Sequence, residues 1–182
     1  MTYPLLTPRL SIEPLKRSDL DTFVGYRQDA EIARFQSWDT TYSAEQAVVL
    51  IESQAGVKLP KEGQWLQLGI HDQICGELVG DLALHLVSES QSIFELGFTI
   101  ASQHQGKGLG REAASRLISF LFSEVGAEKI IANTDRRNTA SIRLLLSLGF
   151  KFHPDKSWTE NFKNEIVTVD YFDCLSQSNS SH

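Results

Sequence analysis

The residues with the clearest chemical potential in this 182-residue chain form one short run, Gln105-Gly106-Lys107-Gly108-Leu109-Gly110-Arg111. The run follows an apolar, strand-like stretch, Phe94 to Ile100, and leads into a helix-like stretch, Glu112 to Val125. A turn between a strand and a helix directs several backbone N–H groups at one point, and the positive end of the helix adds to the attraction for an anion. The glycines allow close approach of the backbone to a ligand, and Lys107 and Arg111 supply charge. The run therefore predicts a phosphate or pyrophosphate site.

The spacing of the glycines separates the known types of phosphate-binding loop. A Walker A loop requires a glycine where this chain has Ala101, and a serine or threonine where it has Gly108. A dinucleotide fingerprint requires a third glycine where Arg111 stands, although Asp135 could supply the acidic residue of that motif. The pattern Gln-x-x-Gly-x-Gly fits at every position. The alternative is that this glycine-rich turn binds no ligand and only packs a helix on a strand.

Composition narrows the class of protein. Hydrophobic residues make up 41% of the chain and charged residues 22%, as in ordinary globular proteins. The formal net charge of −6 argues against a general nucleic-acid binder, which would carry a basic face, and suits an amine-bearing substrate. At this length we expect one domain over residues 1–175, followed by a flexible polar tail over residues 176–182.

The two cysteines indicate whether the protein works in a reducing compartment and whether it has a metal site. Cys75 and Cys174 are far apart and do not have the spacing of a metal site, so we predict a reduced, cytoplasmic chain without a metal. His104 and His153 are interpreted as surface residues rather than as bases or ligands. No apolar run approaches the roughly 18 residues of a membrane span, so we expect no membrane association.

The secondary-structure elements that must position these residues follow from periodicity and capping signals. In the first half we expect a strand, three helices and two strands, over 10–15, 18–24, 29–35, 43–54, 65–71 and 78–87. In the second half we expect strands over 93–100, 129–134 and 166–172, with helices over 112–125 and 138–148. This order of elements predicts an α+β fold with a mixed sheet flanked by helices.

Further motifs accompany the glycine-rich run. Glu95-Leu-Gly-Phe-Thr-Ile precedes it, and Asn138-x-x-Ser141 and Leu148-Gly149-Phe150 follow it. The front half adds Leu6-Thr7-x-Arg9-Leu10, the stretch Ile32 to Trp38, and Leu78-Val79-Gly80-Asp81. Taken together, these motifs closely resemble the GNAT acetyltransferases, and within them the RimJ/RimL group of ribosomal-protein N-terminal acetyltransferases. The resemblance covers most of the chain.

The resemblance implies a fold and a cosubstrate. The GNAT fold has a mixed, mostly antiparallel sheet in which two parallel strands splay apart to admit acetyl-CoA, whose pantetheine arm pairs with the exposed strand edge. It implies that the following residues contact acetyl-CoA: Gly97, Phe98, Thr99, Ile100, Gln105, Gly106, Lys107, Gly108, Leu109, Gly110, Arg111, Asn138 and Ser141. Asn138 can equally serve as a helix cap, and both roles are compatible.

The resemblance also suggests how the reaction is assisted. Acetyl transfer needs a neutral amine, a polarised thioester carbonyl and a stabilised leaving thiolate. Many GNAT members supply the thiolate's partner from a tyrosine seven residues after the asparagine, but this chain has Leu145 there. Ser141 is the implied substitute, although it could simply line the cofactor channel.

Carboxylates and tryptophans complete the candidate site. Glu160, expected in a loop before the last strand, is slightly favoured as the general base, Glu95 is the second candidate and Glu165 a weaker third. Trp38 and Trp158 are expected to line the acceptor pocket, with Trp158 in the same loop as Glu160, unless they serve only packing.

The resemblance favours the N-terminal α-amino group of a ribosomal or other protein as the acceptor. A small amine such as a polyamine, an amino acid or an aminoglycoside is the first alternative. A second alternative is a non-catalytic acyl-CoA-binding module, because Leu145 stands where the usual tyrosine would be. A third alternative is an oxidoreductase that binds NAD through the glycine run. The sequence does not fix the oligomeric state, but the need to cover the front helices and the exposed edge of the last strand is compatible with a homodimer.

Overall fold

A computed structural model describes residues 3–176 of the chain. Within these residues one sheet of eight strands has the order β1-β2-β3-β4-β5-β6-β8-β7. Its strands are β1 (Leu5–Leu6), β2 (Leu10–Pro14), β3 (Trp65–Asp72), β4 (Leu78–Ser88), β5 (Ile93–Ile100), β6 (Lys129–Asp135), β7 (Lys151–Phe162) and β8 (Glu165–Leu175). The α-helices are α1 (Leu20–Arg27), α2 (Ala30–Ala33), α3 (Ala44–Ser53), α4 (Leu109–Phe120) and α5 (Thr139–Ser147).

The neighbours β5 and β6 run parallel, whereas the other neighbouring strands in the described part of the sheet are antiparallel. They share only the three pairs from Ile93 with Lys129 to Glu95 with Ile131. Each strand keeps its other partner well beyond that point, since β5 pairs with β4 as far as Ile100 and β6 pairs with β8 as far as Asp135. The two strands therefore diverge, as the predicted fold requires, and the α+β fold with splayed parallel strands is confirmed.

The two faces of the sheet pack against different helices. On one face, leucines of β3, β4 and β5 join the apolar stripe of α4 in the larger core, for example Leu82 and Leu96 with Leu117. On the other face, α1 and α3 form a second core that includes Phe23 and Ala47. Because side chains alternate along a strand, Asp81, Ala83 and His85 of β4 point to the face opposite Leu82. Their partners on β5 are Thr99, Gly97 and Glu95, so these six residues share the face on the α1 side.

Helix α4 begins earlier than the sequence predicts. Its N-cap is Gly108, whose φ of +76° lies in the left-handed region that glycine adopts without strain. The helix continues into one π-helical turn, Leu121–Val125, and stops at Gly126, which has a φ of +80°. The glycine run is thus joined directly to the first turn of the helix.

The N-terminal segment is tied to the start of α4 through Glu112. The Glu112 carboxylate accepts hydrogen bonds from Thr7 Oγ1 at 2.6 Å and Arg9 Nε at 2.7 Å. Arg9 NH1 also donates to the carbonyl of Lys107 at 3.0 Å, which connects this cluster to the glycine run. Burial raises the pKa of Glu112, but the hydrogen bonds from Thr7 and Arg9 and the charge of Arg9 outweigh burial, so the pKa lies below its usual value.

Several expectations about the second half were wrong in detail. Residues 151–162 form strand β7, so Glu160 and Trp158 lie on a strand and not in a loop. Most residues of β7 are exposed, so it lacks the apolar alternation by which a strand is recognised from sequence. The last strand, β8, lies between β6 and β7 and has no free edge, so the edge that was expected to favour a homodimer belongs to β7.

The remaining differences concern the ends of the chain. Strand β1 was not predicted, because its two residues are too few to show a pattern. The expected strand over 10–15 is β2. Of the tail expected over 176–182, only Ser176 belongs to the described residues.

Replacement of Glu112 by Gln is expected to lower the free energy of unfolding by about 1–2 kcal/mol at pH 7, because charge-assisted hydrogen bonds are lost. A carboxyl whose pKa is depressed by folding stabilises the fold above its unfolded pKa and loses that contribution as the pH falls through its folded pKa. The difference between the two proteins in urea unfolding should therefore shrink towards pH 3. Glu124→Gln, at an exposed carboxylate in the adjoining π turn, is the control, and an equal loss there would contradict this role of Glu112.

Candidate active site

A cavity of about 1230 Å³, hereafter the cleft, opens where β5 and β6 diverge. Its walls include residues 96–100 of β5 and residues 132–135 of β6, together with parts of the glycine run, α3 and α5. The cleft brings together nearly all of the residues singled out from the sequence. Lys107 is the exception among the expected acetyl-CoA contacts, since it does not line the cleft and its carbonyl faces Arg9.

The glycine run closes one end of the cleft as a cradle of backbone amides. Gly106 and Gly108 have φ angles of +73° and +76°. The helical ladder starts with the bond from Glu112 N to Gly108 O, so the amides of Leu109, Gly110 and Arg111 belong to the first turn, which has no intrahelical acceptor. Gln105 Nε2 donates to the carbonyl of Ile100 at 2.9 Å and holds the run against the end of β5. This end is built to bind an anion.

Helix α5 supplies the wall that faces the glycine run. Asn138 is its N-cap, and Asn138 Oδ1 accepts from the backbone N of Ser141 at 3.1 Å. The predicted cap is therefore confirmed, and it leaves Ser141 half-buried beside the cleft. Leu145, one turn further, is 1% exposed and adds an apolar surface where a tyrosine would bring a hydroxyl.

Glu95 lies where β5 and β6 part. Its Oε1 accepts from Asn133 Nδ2 at 2.9 Å, and its Oε2 lies 3.2 Å from His85 Nδ1. The imidazole of His85 stacks on the indole of Trp65 with ring centroids 4.7 Å apart. The Glu95 carboxylate is thus fixed in orientation at the cleft and keeps a side-chain exposure of 20%. Such a group can take a proton, directly or through water.

Glu160 and Trp158 lie on the far wall of the cleft. Trp158 Nε1 donates to Glu160 Oε2 at 2.8 Å, and both side chains are exposed. Glu165 does not line the cleft, and its carboxylate pairs with Arg137 NH1 at 2.8 Å. Of the three candidate bases, Glu95 is held most firmly and Glu165 is committed elsewhere.

A buried polar network on the α1 side of the cleft was not foreseen. Asp81 is 1% exposed and accepts from Tyr26 Oη at 2.5 Å and from Gln67 Nε2. Burial raises the pKa of Asp81 above its usual value. The charge of Arg27 and the hydrogen bonds from Tyr26 and Gln67 lower the pKa, but burial outweighs them. Arg27 is itself 6% exposed, and its guanidinium carbon lies 3.8 Å from the centre of a ring of Trp38.

A lysine at the tip of the β7–β8 hairpin joins the two sides of the cleft. Lys163 Nζ donates to the carbonyls of Ala33 and Trp38 at 2.8 and 2.6 Å and pairs with Asp39 at 3.0 Å. Residues on both sides of this bridge line the cleft, including Phe35 before it and Phe162 beside it. Lys163, Ala33 and Asp39 do not line the cleft themselves, so the bridge, hereafter the Lys163 clamp, ties together two segments that contribute to its wall.

Other chemical groups were considered within residues 3–176. No group of three or more His, Cys, Asp and Glu side chains there could hold a metal ion. His104 Nε2 lies 3.3 Å from Glu77, and His153 Nε2 lies 2.8 Å from Asp173. In the same residues, no helix combines the length and the apolar character required to cross a membrane.

Sequence reasoning missed Arg27, Asp81, His85, Asn133 and Lys163. Each gains its importance from a partner 10 to 130 positions away in the chain. Asp81 did carry a usable signal, since an acidic residue amid the apolar residues of β4 must find partners when it is buried. The others sit in stretches without distinctive spacing.

The sequence is similar to those of known acetyltransferases. The family model described as Acetyltransferase (GNAT) domain matches residues 9–151. The chain is 29% identical over 150 residues to the uncharacterized N-acetyltransferase YoaA of Bacillus subtilis, a match that covers 82% of this chain and 84% of that protein.

Two solved structures from Vibrio cholerae are similar in fold. Spermidine N-acetyltransferase in complex with CoA and spermine has a TM-score of 0.80 at 19% identity, covering 93% of this chain and 97% of the other. A proposed ribosomal-protein-serine acetyltransferase has a TM-score of 0.78 at 21% identity, covering 96% and 99%.

Replacement of Lys163 by Met should release the clamp, because its ammonium group bonds two carbonyls and one carboxylate. Hydrogen–deuterium exchange is expected to rise up to about tenfold at backbone amides of residues 30–40 and 160–168, in proportion to the hydrogen bonds lost. Lys61→Met, at an exposed lysine remote from the cleft, should leave these amides unchanged. Identical exchange in both variants would mean that the clamp does not hold the two segments together.

Proposed function

The chain belongs to the GNAT acetyltransferases, and from this premise we propose that it transfers the acetyl group of acetyl-CoA to the primary amine of a small molecule. Its family makes it an acyltransferase. The observation that carries the proposal is the cleft itself, which combines a cradle of backbone amides, an open strand edge and a lining that includes the carboxylates of Glu31, Glu95 and Glu160.

The residues present fit acetyl-CoA. The left-handed glycines and the first-turn amides of α4 suit the pyrophosphate, with Arg111 adding positive charge. A Cβ on Gly110 would lie 3.3 Å from Ile100 Cγ1, so glycine keeps this part of the loop close to the strand. The edge of β5 past Glu95 is free of β6 and suits an extended amide-bearing arm, with Asn138 and Ser141 on the opposite side.

Two side chains of this protein can assist acetyl transfer, one at the acceptor nitrogen and the other at the leaving sulfur. When bound, acetyl-CoA supplies the activated acetyl thioester. Glu95, oriented by Asn133 and His85, would accept a proton from the acceptor ammonium, and Ser141 would donate a hydrogen bond towards the leaving sulfur. Glu160 remains the second candidate base, since it lines the same cleft, but its anchor is a single indole N–H on an exposed strand.

The carboxylates that line the cleft favour a small cationic amine as the acceptor. Glu31, Glu95 and Glu160 are among the lining residues, and their negative charge suits such a group.

A protein N-terminal α-amine, as in the RimJ/RimL group, is the second candidate. It is supported by the motifs shared along most of the chain and by Ser141 and Glu160 in place of the tyrosine. A binding module without catalysis is the outcome that Leu145 would explain.

The function is tested by the release of free thiol from acetyl-CoA with three panels of acceptors: amino acids, polyamines with aminoglycosides, and peptides that begin with Ser or Ala. Release with small amines only is the expected result, and mass spectrometry should find the acetyl group on nitrogen. Release with peptides only would move the acceptor to protein N-termini. A rise in melting temperature with acetyl-CoA and no release would favour the binding module, and stabilisation by NAD instead would contradict the cosubstrate.

Replacement of Glu95 by Gln should lower kcat by about 10²- to 10³-fold, because a general base is removed, while the dissociation constant of acetyl-CoA stays unchanged. Glu160→Gln is the matched variant and should lower kcat by less than about tenfold. The reverse order of the two effects in steady-state kinetics would assign the base to Glu160.

Replacement of Ser141 by Ala should lower kcat by about ten- to a hundredfold, since one hydrogen bond to the leaving sulfur is lost. Ser147→Ala, at an exposed serine of the same helix that bonds only its own helix, controls for changes in α5. A full rate with Ser141→Ala would leave that serine with no more than a role in lining the channel.

A further inference from the structure

Arg27, the last residue of α1, carries a buried positive charge to the acceptor side of the cleft. It is 6% exposed, yet it lines the cleft together with Trp38 and Tyr42. A guanidinium group stays charged when it is buried, so it needs hydrogen-bond acceptors to offset the loss of water.

Aromatic rings fix the plane of this guanidinium. Its central carbon lies 4.2 Å from the ring centre of Phe23, 3.8 Å from a ring of Trp38 and 4.8 Å from the ring of Tyr42. Trp38 is held in turn, since its Nε1 donates to the backbone carbonyl of Arg27 at 3.1 Å. Stacking stabilises the charge over the ring faces but accepts no in-plane N–H groups.

The guanidinium group is only partly satisfied within the protein, where it shares a side-chain hydrogen bond with Tyr42. Arg27 Nε is buried and has no hydrogen-bond partner in the described chain. Arg27 NH2 lies 3.9 Å from Asp81 Oδ2, too far for a hydrogen bond. Both oxygens of Asp81 already accept hydrogen bonds, from Tyr26 and from Gln67. Arg27 is therefore a rigid, buried cation that lacks a fully bonded anion.

The space beside Arg27 leads towards the Glu95 carboxylate. Asp81 pairs with Thr99, Ala83 with Gly97 and His85 with Glu95, all on the same face of the sheet. The middle pair presents almost no side chain, since a Cβ built on Gly97 would already meet Ala83 Cβ at 3.4 Å. Two residues of strand span about 7 Å, so the Asp81 level, where Arg27 lies, is about 13 Å along the strands from the Glu95 level, with the Ala83–Gly97 pair midway.

We propose that Arg27 binds a carboxylate of the acceptor, so that the substrate is an amino acid or a close analogue. This inference rests on the proposed N-acetyltransferase function and narrows its substrate class. The planar fork of Arg27 matches a carboxylate, while Glu95 lies on the other side of the Ala83–Gly97 floor, where the ammonium would sit.

The alternative is a purely structural Arg27, which braces α1 against Asp81 and takes no ligand. The two roles differ in what the substrate must carry. A ligand-binding Arg27 discriminates an amino acid from its primary amide, which has the same shape and amine but no negative charge. The amine of the amide is the less basic of the two and is more often neutral, so intrinsic reactivity favours the amide and a preference for the acid requires a binding site.

The experiment measures kcat and KM of the full chain for the twenty L-amino acids and the corresponding primary amides. The expected result is a kcat/KM at least about tenfold higher for the best amino acid than for its amide. Arg27→Gln should raise KM for that amino acid by about 10- to 150-fold, change its kcat less, and leave the values for the amide unchanged. Arg27→Lys keeps the charge without the fork and should lie between the two proteins.

Controls separate this inference from the proposed function and from misfolding. Arg143→Gln, at an exposed arginine of α5 away from the cleft, should behave like the unchanged protein. The dissociation constant of acetyl-CoA, measured by calorimetry, should be the same in every variant. Calorimetry with the same amino acids and amides, with and without CoA, tests carboxylate binding directly even where no turnover occurs.

Equal kcat/KM and equal affinity for amino acids and amides in the unchanged protein would overturn the inference, whether or not Arg27→Gln folds. Turnover of polyamines or peptides alone would overturn it too and leave N-acetyltransfer intact. Failure of acetyl-CoA to bind would instead remove the proposed function, and the calorimetric comparison would still decide whether Arg27 binds a carboxylate.

Discussion

The short parallel pairing of β5 with β6 is the constraint on which the rest of this structure depends. After three shared pairs the strands part, and the facing edges lose the hydrogen bonds that a continuous sheet would supply. Unpaired edges inside a domain are costly unless another group satisfies them, so the divergence leaves an edge with which an extended, amide-bearing ligand can pair. The long pairings of β5 with β4 and of β6 with β8 hold the two strands in place without each other.

Polar residues cluster where this divergence begins, on the face that α1 and α3 cover. Glu95 connects to both neighbouring strands, through Asn133 on β6 and His85 on β4. Further along, Asp81 is surrounded by Tyr26, Gln67 and Arg27. A folded chain that carries unsatisfied buried groups gives up stability, and such groups concentrate where binding requires them. Asn133 Oδ1 and Arg27 Nε are two such atoms, and both residues line the cleft.

Contacts distant from the chemistry set the two ends of the cleft. At the cradle end, Thr7 and Arg9 bond Glu112 in the first turn of α4, and Arg9 reaches the carbonyl of Lys107. On the other side, Lys163 ties the β7–β8 hairpin to residues 33–39. The N-terminal segment therefore positions the glycine run, and the Lys163 clamp positions two segments that contribute residues to the cleft. Both sets of ion pairs and hydrogen bonds join residues that are far apart in the chain, and no local sequence pattern predicts them.

The sequence by itself determined the elements whose signals are local. The glycine run, the helix after it and the cap at Asn138 depend on residues a few positions apart, and each was predicted before any contact was known. The spacing of Gln105, Gly108 and Gly110, with its flanking motifs, also indicated the family. Strand β7 escaped prediction, because its stability comes from pairing with β8 rather than from an apolar pattern, and Glu160 and Trp158 were assigned to a loop as a result.

Only the tertiary structure decided which polar groups meet. Glu95 and His85 face each other through the register of β4 and β5, and Lys163 reaches Ala33 across 130 positions of sequence. The exposure of Arg27 to the cleft depends on α1 lying over β4, and nothing in its neighbours along the chain distinguishes it from a surface arginine. Charge and hydrogen bonding act through space over a few ångströms, so residue types and spacing predict a candidate cosubstrate loop but not which side chains meet across the cleft.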